Sequence, residues 1–155
     1  GLASADPAHA DVYRATAQRY AEQISAIDAW IAGQFASIPS ERRRIITTHD
    51  AFGYYGARYG ITFLAAEGIS TEAEPSAKTI AALARQIKRD KVPAVFLENM
   101  TSPRLARMLA QETGAKLGGE VYSDALSPPN GPAPTFLDML KHNTGLFAAA
   151  MRQEH

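Results

Sequence analysis

Apolar residues at the start of the chain recur at helical spacing. Tyr13, Ala17, Tyr20, Ile24, Ile27 and Ile31 are separated by three or four positions, which places them on one stripe of an α-helix. Asp6 is suited to cap that helix and Pro7 to fill its first turn. Ile38-Pro39 ends it. The pattern predicts a helix from residue 7 to residue 35, about 42 Å long at 1.5 Å per residue. A helix of that length packs along more than one unit.

Beyond it the pattern becomes an alternation of short apolar runs and helical segments. Arg44 to Thr48 is β-branched and reads as a buried strand. A short helix over 51–58, stopped by Gly60, leads to a second strand over 61–65. After a polar stretch, Glu67 to Pro75, Ser76 is placed to cap a helix whose face is Ile80, Leu83, Ala84 and Ile87. Ala94 to Leu97 is the third strand, ending at Glu98. Ser102-Pro103 starts the next helix and Gly114 closes it. Gly119 to Tyr122 forms a fourth short strand. A proline-rich loop, Ser127 to Pro134, precedes a last helix over 135–152. Alternating apolar strands and helices define the α/β class, with a parallel four-stranded sheet flanked by helices and preceded by the long helix.

Composition narrows the functions open to such a domain. With 46% apolar and 21% charged residues the chain is ordinary globular protein. Its formal net charge is zero, which argues against a nucleic-acid partner and against electrostatic docking on a membrane. The one basic run, Arg42-Arg43-Arg44, reads as a solvated edge. There are no cysteines, so disulfides, thiolate metal sites and a cysteine nucleophile are excluded. No apolar run reaches the length of a membrane span. The segment Gly1-Leu2-Ala3-Ser4 has neither the basic nor the apolar part of a signal peptide.

In open α/β sheets, ligands bind beyond the carboxyl ends of the strands. There the first strand delivers His49 and Asp50, the third Glu98 and Asn99, the fourth Ser123 and Asp124. An imidazole and carboxylates without a thiolate suit zinc, manganese or iron. Each residue also has a plainer role: His49 bonding a turn carbonyl, Asp124 shaping a turn, Glu98 capping a helix or pairing with an arginine. Their common position at three strand ends favours a site. Phe52, Tyr54, Tyr55 and Tyr59 read as core and helix packing. The glycines at 53, 56 and 60 are not a phosphate loop, because the lysine and the following Ser/Thr are missing. His9 and His142 read as surface residues, and His155 is terminal. There is no serine nucleophile elbow.

Several segments resemble, in order, the zinc/manganese solute-binding proteins of ABC transporters. They are Ala5-Asp6-Pro7-Ala8-His9-Ala10 with Tyr13; Thr48-His49-Asp50-Ala51-Phe52-Gly53-Tyr54-Tyr55 with Tyr59-Gly60-Ile61; Gly68 to Ser76; Val95-Phe96-Leu97-Glu98-Asn99; and Tyr122-Ser123-Asp124-Ala125-Leu126-Ser127. The resemblance implies two α/β lobes joined by a rigid helix, with a metal between them held by two side chains from each. Residues 1–36 would be the linking helix and residues 37–155 the C-terminal lobe, with the N-terminal lobe absent. His49 and Asp124 would be the metal ligands of this lobe, with Glu98 lining the site behind them. A histidine at position 49, where manganese-type members often carry glutamate, tilts the metal toward zinc. The implied function is capture of zinc or manganese in the periplasm, or at the extracellular face from a membrane anchor, and delivery to an ABC permease. No enzymatic activity is expected. The alternative is a small metal-dependent hydrolase of α/β type using the same three residues around an activated water. The exposed part of the long helix is expected to favour a homodimer.

Overall fold

The computed structural model describes residues 1–65, 76–100 and 103–152. The segment Gly68 to Pro75, the cap assigned to Ser102 and the terminal His155 lie outside the described residues. The elements follow in the order α1 (Leu2–Ala5), α2 (Ala10–Ala36), β1 (Arg44–Thr47), α3 (Gly53–Tyr59), β2 (Thr62–Ala65), α4 (Ala77–Asp90), β3 (Ala94–Glu98), α5 (Pro103–Thr113), β4 (Lys116–Val121) and α6 (Phe136–Arg152).

The strands form one parallel sheet in the order β2-β1-β3-β4. The chain adds β2 to one side of β1 and then returns to place β3 on the other. The gap between the carboxyl ends of β1 and β3 is therefore the switch point where α/β sheets bind ligands.

Side chains alternate between the two faces of the sheet. Ile45, Ala94, Phe96 and Val121 face a core built with Ile27, Ile31 and Phe35 of α2 and Phe147, Ala148 and Met151 of α6. Ile46 and Val95 face the opposite core, with Leu83 and Ile87 of α4 and Leu105, Ala106 and Leu109 of α5. Phe147 is the centre of the first core. Phe96 meets it edge-on at 5.1 Å, and Phe63 and Phe52 do so at 5.3 and 5.5 Å. These are favourable aromatic geometries.

β4 carries a register shift opposite Val95 to Leu97. Gly118 lies there because the Phe96 ring occupies the space where a side chain would start: a Cβ on Gly118 would fall 2.4 Å from it. Gly119 follows at φ +102. The strand begins at Lys116, three residues before the sequence pattern placed it.

The long helix starts at Ala10, not at Pro7. A 3-10 turn, Pro7–His9, precedes it, and the Asp6 carboxylate makes no capping bond to either. It accepts instead from the Tyr13 hydroxyl and faces the His9 ring. Only Ile27, Ile31 and Phe35 of the helix are buried, whereas Val12, Tyr20 and Ile24 are exposed. Two further expectations change. Tyr54 is 97% exposed and takes no part in the core, while its neighbour Tyr55 packs there. Arg43 is a staple and not a solvated edge: its Nε donates to the Ile38 carbonyl at 2.9 Å and its Nη1 to the Tyr59 carbonyl at 3.2 Å. Among the described residues no helix is long and apolar enough to cross a membrane.

Candidate metal site

His49 leaves the sheet two residues after β1. Thr47 Oγ1 donates to the His49 carbonyl at 3.0 Å and the Ala51 amide does so at 3.2 Å, closing a tight turn. Phe52 is driven into the core immediately afterwards. This turn tucks the imidazole in, and its side chain is only 5% exposed. Asp50, next in the chain, faces solvent.

Glu98 ends β3 with its side chain fully buried. A buried carboxylate is tolerated only when donors surround it. Glu98 Oε1 accepts from Thr48 Oγ1 and from the His49 amide, both at 2.8 Å, and Oε2 accepts from Ser123 Oγ at 3.1 Å. His49 Nδ1 lies 2.5 Å from Oε2, close but off the line of a well-directed hydrogen bond. One carboxylate thus ties the turn after β1 to the loop after β4. It also fixes the ring with Nδ1 toward the protein and Nε2 toward the outside, as carboxylates behind metal-binding histidines do.

Asp124 lies three residues beyond β4, and its side chain is 65% exposed. Its Oδ2 is 3.1 Å from His49 Nε2. The two atoms converge on one point. The pair sets a buried nitrogen against a solvent-facing oxygen. The separation suits a metal: bonds of about 2.1 Å at a tetrahedral angle place two ligand atoms about 3.4 Å apart. The geometry therefore brings together His49, Glu98 and Asp124, all three residues singled out at strand ends. Among the described residues no group of three or more His, Cys, Asp or Glu side chains is arranged to hold a metal ion. The convergence is of a pair, with Glu98 on the far side of the ring.

The other histidines stand apart. His9 is exposed beside Asp6. His142 is half-buried, not free at the surface: its Nε2 donates to the Glu120 carbonyl at 2.9 Å and its ring meets Tyr122 edge-on.

Two asparagines flank the loop after β4: Asn99, which the sequence placed at the edge of the sheet without a role, and Asn143, which it did not single out. Asn99 Nδ2 donates to the Ala125 carbonyl at 3.3 Å. Asn143, buried in α6, bonds both the amide and the carbonyl of Tyr122. A signal for Asn143 existed. It falls on the apolar stripe of its helix, three residues after Leu140 and four before Phe147, where an amide needs a reason to be.

The fold and the pair at its switch point describe a parallel α/β domain with an imidazole and a carboxylate facing each other at its carboxyl edge. Comparison with known proteins gives the family. Residues 1–150 match the model of the periplasmic zinc-uptake complex component A, ZnuA, and the chain belongs to this family. It is 34% identical to the iron-binding protein YfeA of Yersinia pestis over 152 residues, 98% of this chain and 49% of that protein. It is 30% identical to the manganese-binding lipoprotein MntA of Halalkalibacterium halodurans, over 98% of this chain and 51% of the relative. The solved periplasmic zinc-binding protein TroA of Treponema pallidum superposes with a TM-score of 0.92 at 30% identity, covering 98% of this chain and 57% of that one. The chain spans about half the length of the curated relatives it matches.

Proposed function

We propose that the chain is the C-terminal half of a divalent-metal receptor that delivers its cargo to an ABC permease. Residues 1–36 form its linking helix and residues 37–155 its metal-binding lobe. The carrying observation is the 3.1 Å approach of His49 Nε2 to Asp124 Oδ2 at the switch point of the sheet. His49 and Asp124 are the ligands, and Glu98 holds the ring that presents Nε2. An N-terminal lobe supplies the remaining ligands, which closes the shell around the ion. The place of work is the periplasm, or the extracellular face from a membrane anchor.

Zinc or manganese is the proposed cargo. Relatives named for iron, manganese and zinc support a shell of imidazole and carboxylate, which all three metals accept. Splitting the shell between two bodies suits a carrier. Each half binds weakly alone, and separation of the halves releases the ion. A hydrolase would keep three ligands and an open position on one scaffold, and the pairwise convergence at His49 and Asp124 supports the receptor instead. The family, a component of an uptake complex, also supports a non-enzymatic role.

The test is titration of the chain with zinc chloride and with manganese chloride, followed by the NMR signals of His49 and Asp124. Weak binding is expected, markedly weakened in both His49→Ala and Asp124→Ala. Wild-type binding in either variant overturns the pairing. Tight one-to-one binding by the monomer favours the hydrolase.

A further inference from the structure

Asp124 has little packing of its own, being mostly in solvent, yet a ligand must be held within a fraction of an ångström to bind well. Its position is inherited from the backbone on either side. β3–β4 pairing ends at Glu98 with Val121, where the Asn99 amide donates to the Val121 carbonyl at 3.1 Å. Tyr122 is the next residue, and β4 is the edge strand of the sheet.

Asn143 fills that place. Its Oδ1 accepts from the Tyr122 amide at 3.0 Å and its Nδ2 donates to the Tyr122 carbonyl at 2.7 Å. The carboxamide thus does for one residue what a neighbouring strand does for a ladder, and it is buried in doing so. On the other side of Asp124, Asn99 Nδ2 holds the Ala125 carbonyl. The Asn99 Oδ1 is buried with no hydrogen-bond partner among the described residues. The bond to Ala125 is therefore what orients that amide. Two side-chain amides, one from α6 and one from the end of β3, grip the backbone two residues before and one residue after the aspartate.

We propose that Asn143, seconded by Asn99, is a positioning residue of the metal site, setting the place of the Asp124 carboxylate opposite His49 Nε2. The proposal rests on the reading of His49 and Asp124 as the metal pair. Asn143 bonds neither ligand side chain; it holds the backbone of the loop that carries Asp124, and the proposal is that its effect on metal affinity passes through that residue.

That route gives the test. Zinc chloride is titrated by NMR into the wild-type chain, Asn143→Ala, Asn99→Ala, Asp124→Ala and the two double variants. Residues supporting a metal ligand change affinity by about 10-fold or more when removed, and that loss is expected for Asn143→Ala, with a smaller one for Asn99→Ala. In the Asp124→Ala background neither substitution should weaken zinc binding further, because groups acting as one unit are not additive. A role in stability alone predicts a lower melting temperature with unchanged affinity, or an affinity loss of the same size in both backgrounds. Either result overturns the proposal. Should Asn143→Ala fail to fold, Asn99→Ala, which removes a single 3.3 Å bond, is judged by the same criteria. Unchanged zinc binding in Asp124→Ala itself would sink the metal-pair reading and this proposal with it. Loss there with no effect of either asparagine leaves the reading standing and removes only the proposal.

Discussion

Removing the Glu98 carboxylate should loosen the carboxyl edge of the sheet in a graded way. In Glu98→Ala the Thr48 hydroxyl, the His49 amide and the Ser123 hydroxyl lose their acceptor at once. Each buried donor left without a partner costs about 1–3 kcal/mol. The two hydroxyls can rotate and Ser123 can reach water, so a total of about 3–5 kcal/mol is expected, the range seen when one member of a buried charged pair is deleted. For a chain of this size that lowers the melting temperature by roughly 10 °C. Glu98→Gln is the informative partner. With its oxygen in the place of Oε1 it still accepts from Thr48 and His49. Its NH2 in the place of Oε2 can no longer accept from Ser123 or stand opposite a protonated His49 Nδ1. A loss of about 1–2 kcal/mol is expected for that variant. Urea denaturation followed by circular dichroism measures both. Glu98→Ala within about 1 kcal/mol of wild type would refute the claim that this carboxylate ties two loops together. Equal losses in Ala and Gln would place the whole effect in the Oε2 contacts.

Other expectations follow from the same geometry. Asp28 is held down to about 2 chiefly by the Arg58 guanidinium, whose Nε and Nη2 both donate to it, and by the Tyr59 hydroxyl. Its lowered value means that its contribution is present above the ordinary carboxylate range and is lost as pH falls toward 2. The melting temperatures of wild type and Asp28→Asn should therefore differ at pH 7 and converge below pH 4, and a constant gap would contradict the linkage. Gly118→Val forces a Cβ into the Phe96 ring and should destabilise by at least about 1–3 kcal/mol; urea unfolding equal to wild type would show that the ring moves freely. On α2, Ile31→Ala should cost about 2–5 kcal/mol, whereas Ile24→Ala, at an exposed position, should stay within about 0.5 kcal/mol. Val12, Tyr20 and Ile24 also leave apolar surface on that helix, and sedimentation at micromolar concentration should find self-association. A clean monomer would remove the proposed homodimer.

The strands and the three residues that meet at the candidate site were legible for one reason. Short β-branched runs flanked by turn residues locate a parallel strand, and the residue after such a strand belongs to the edge where ligands bind. What the sequence does not carry is direction and distance. Tyr54 and Tyr55 are consecutive helical residues about 100° apart around the axis, so both cannot face one core, and nothing in their chemistry says which one does. Lys116-Leu117-Gly118-Gly119 has poor strand character because two glycines weaken it. The reason for one of them, the ring of Phe96, lies on another strand. Asn143 finds its partners 21 residues away on Tyr122, a pairing that only the packing of α6 against β4 creates.

The long helix makes the same point in terms of length. Its apolar period was read correctly, but a period says which stripe is apolar and not how much of it is covered. The cover is set by the elements that α2 packs against, chiefly α6, with α3 beside it. The buried residues Ile27, Ile31 and Phe35 span about 12 Å of helix rise. The 27 residues of α2 extend about 40 Å, so about two-thirds of the helix lies before its first buried residue. Tyr20 and Ile24 continue the same stripe there, still apolar but exposed. That uncovered length of stripe, from Val12 to Ile24, is the surface on which self-association would occur, and sedimentation of the chain tests whether it does.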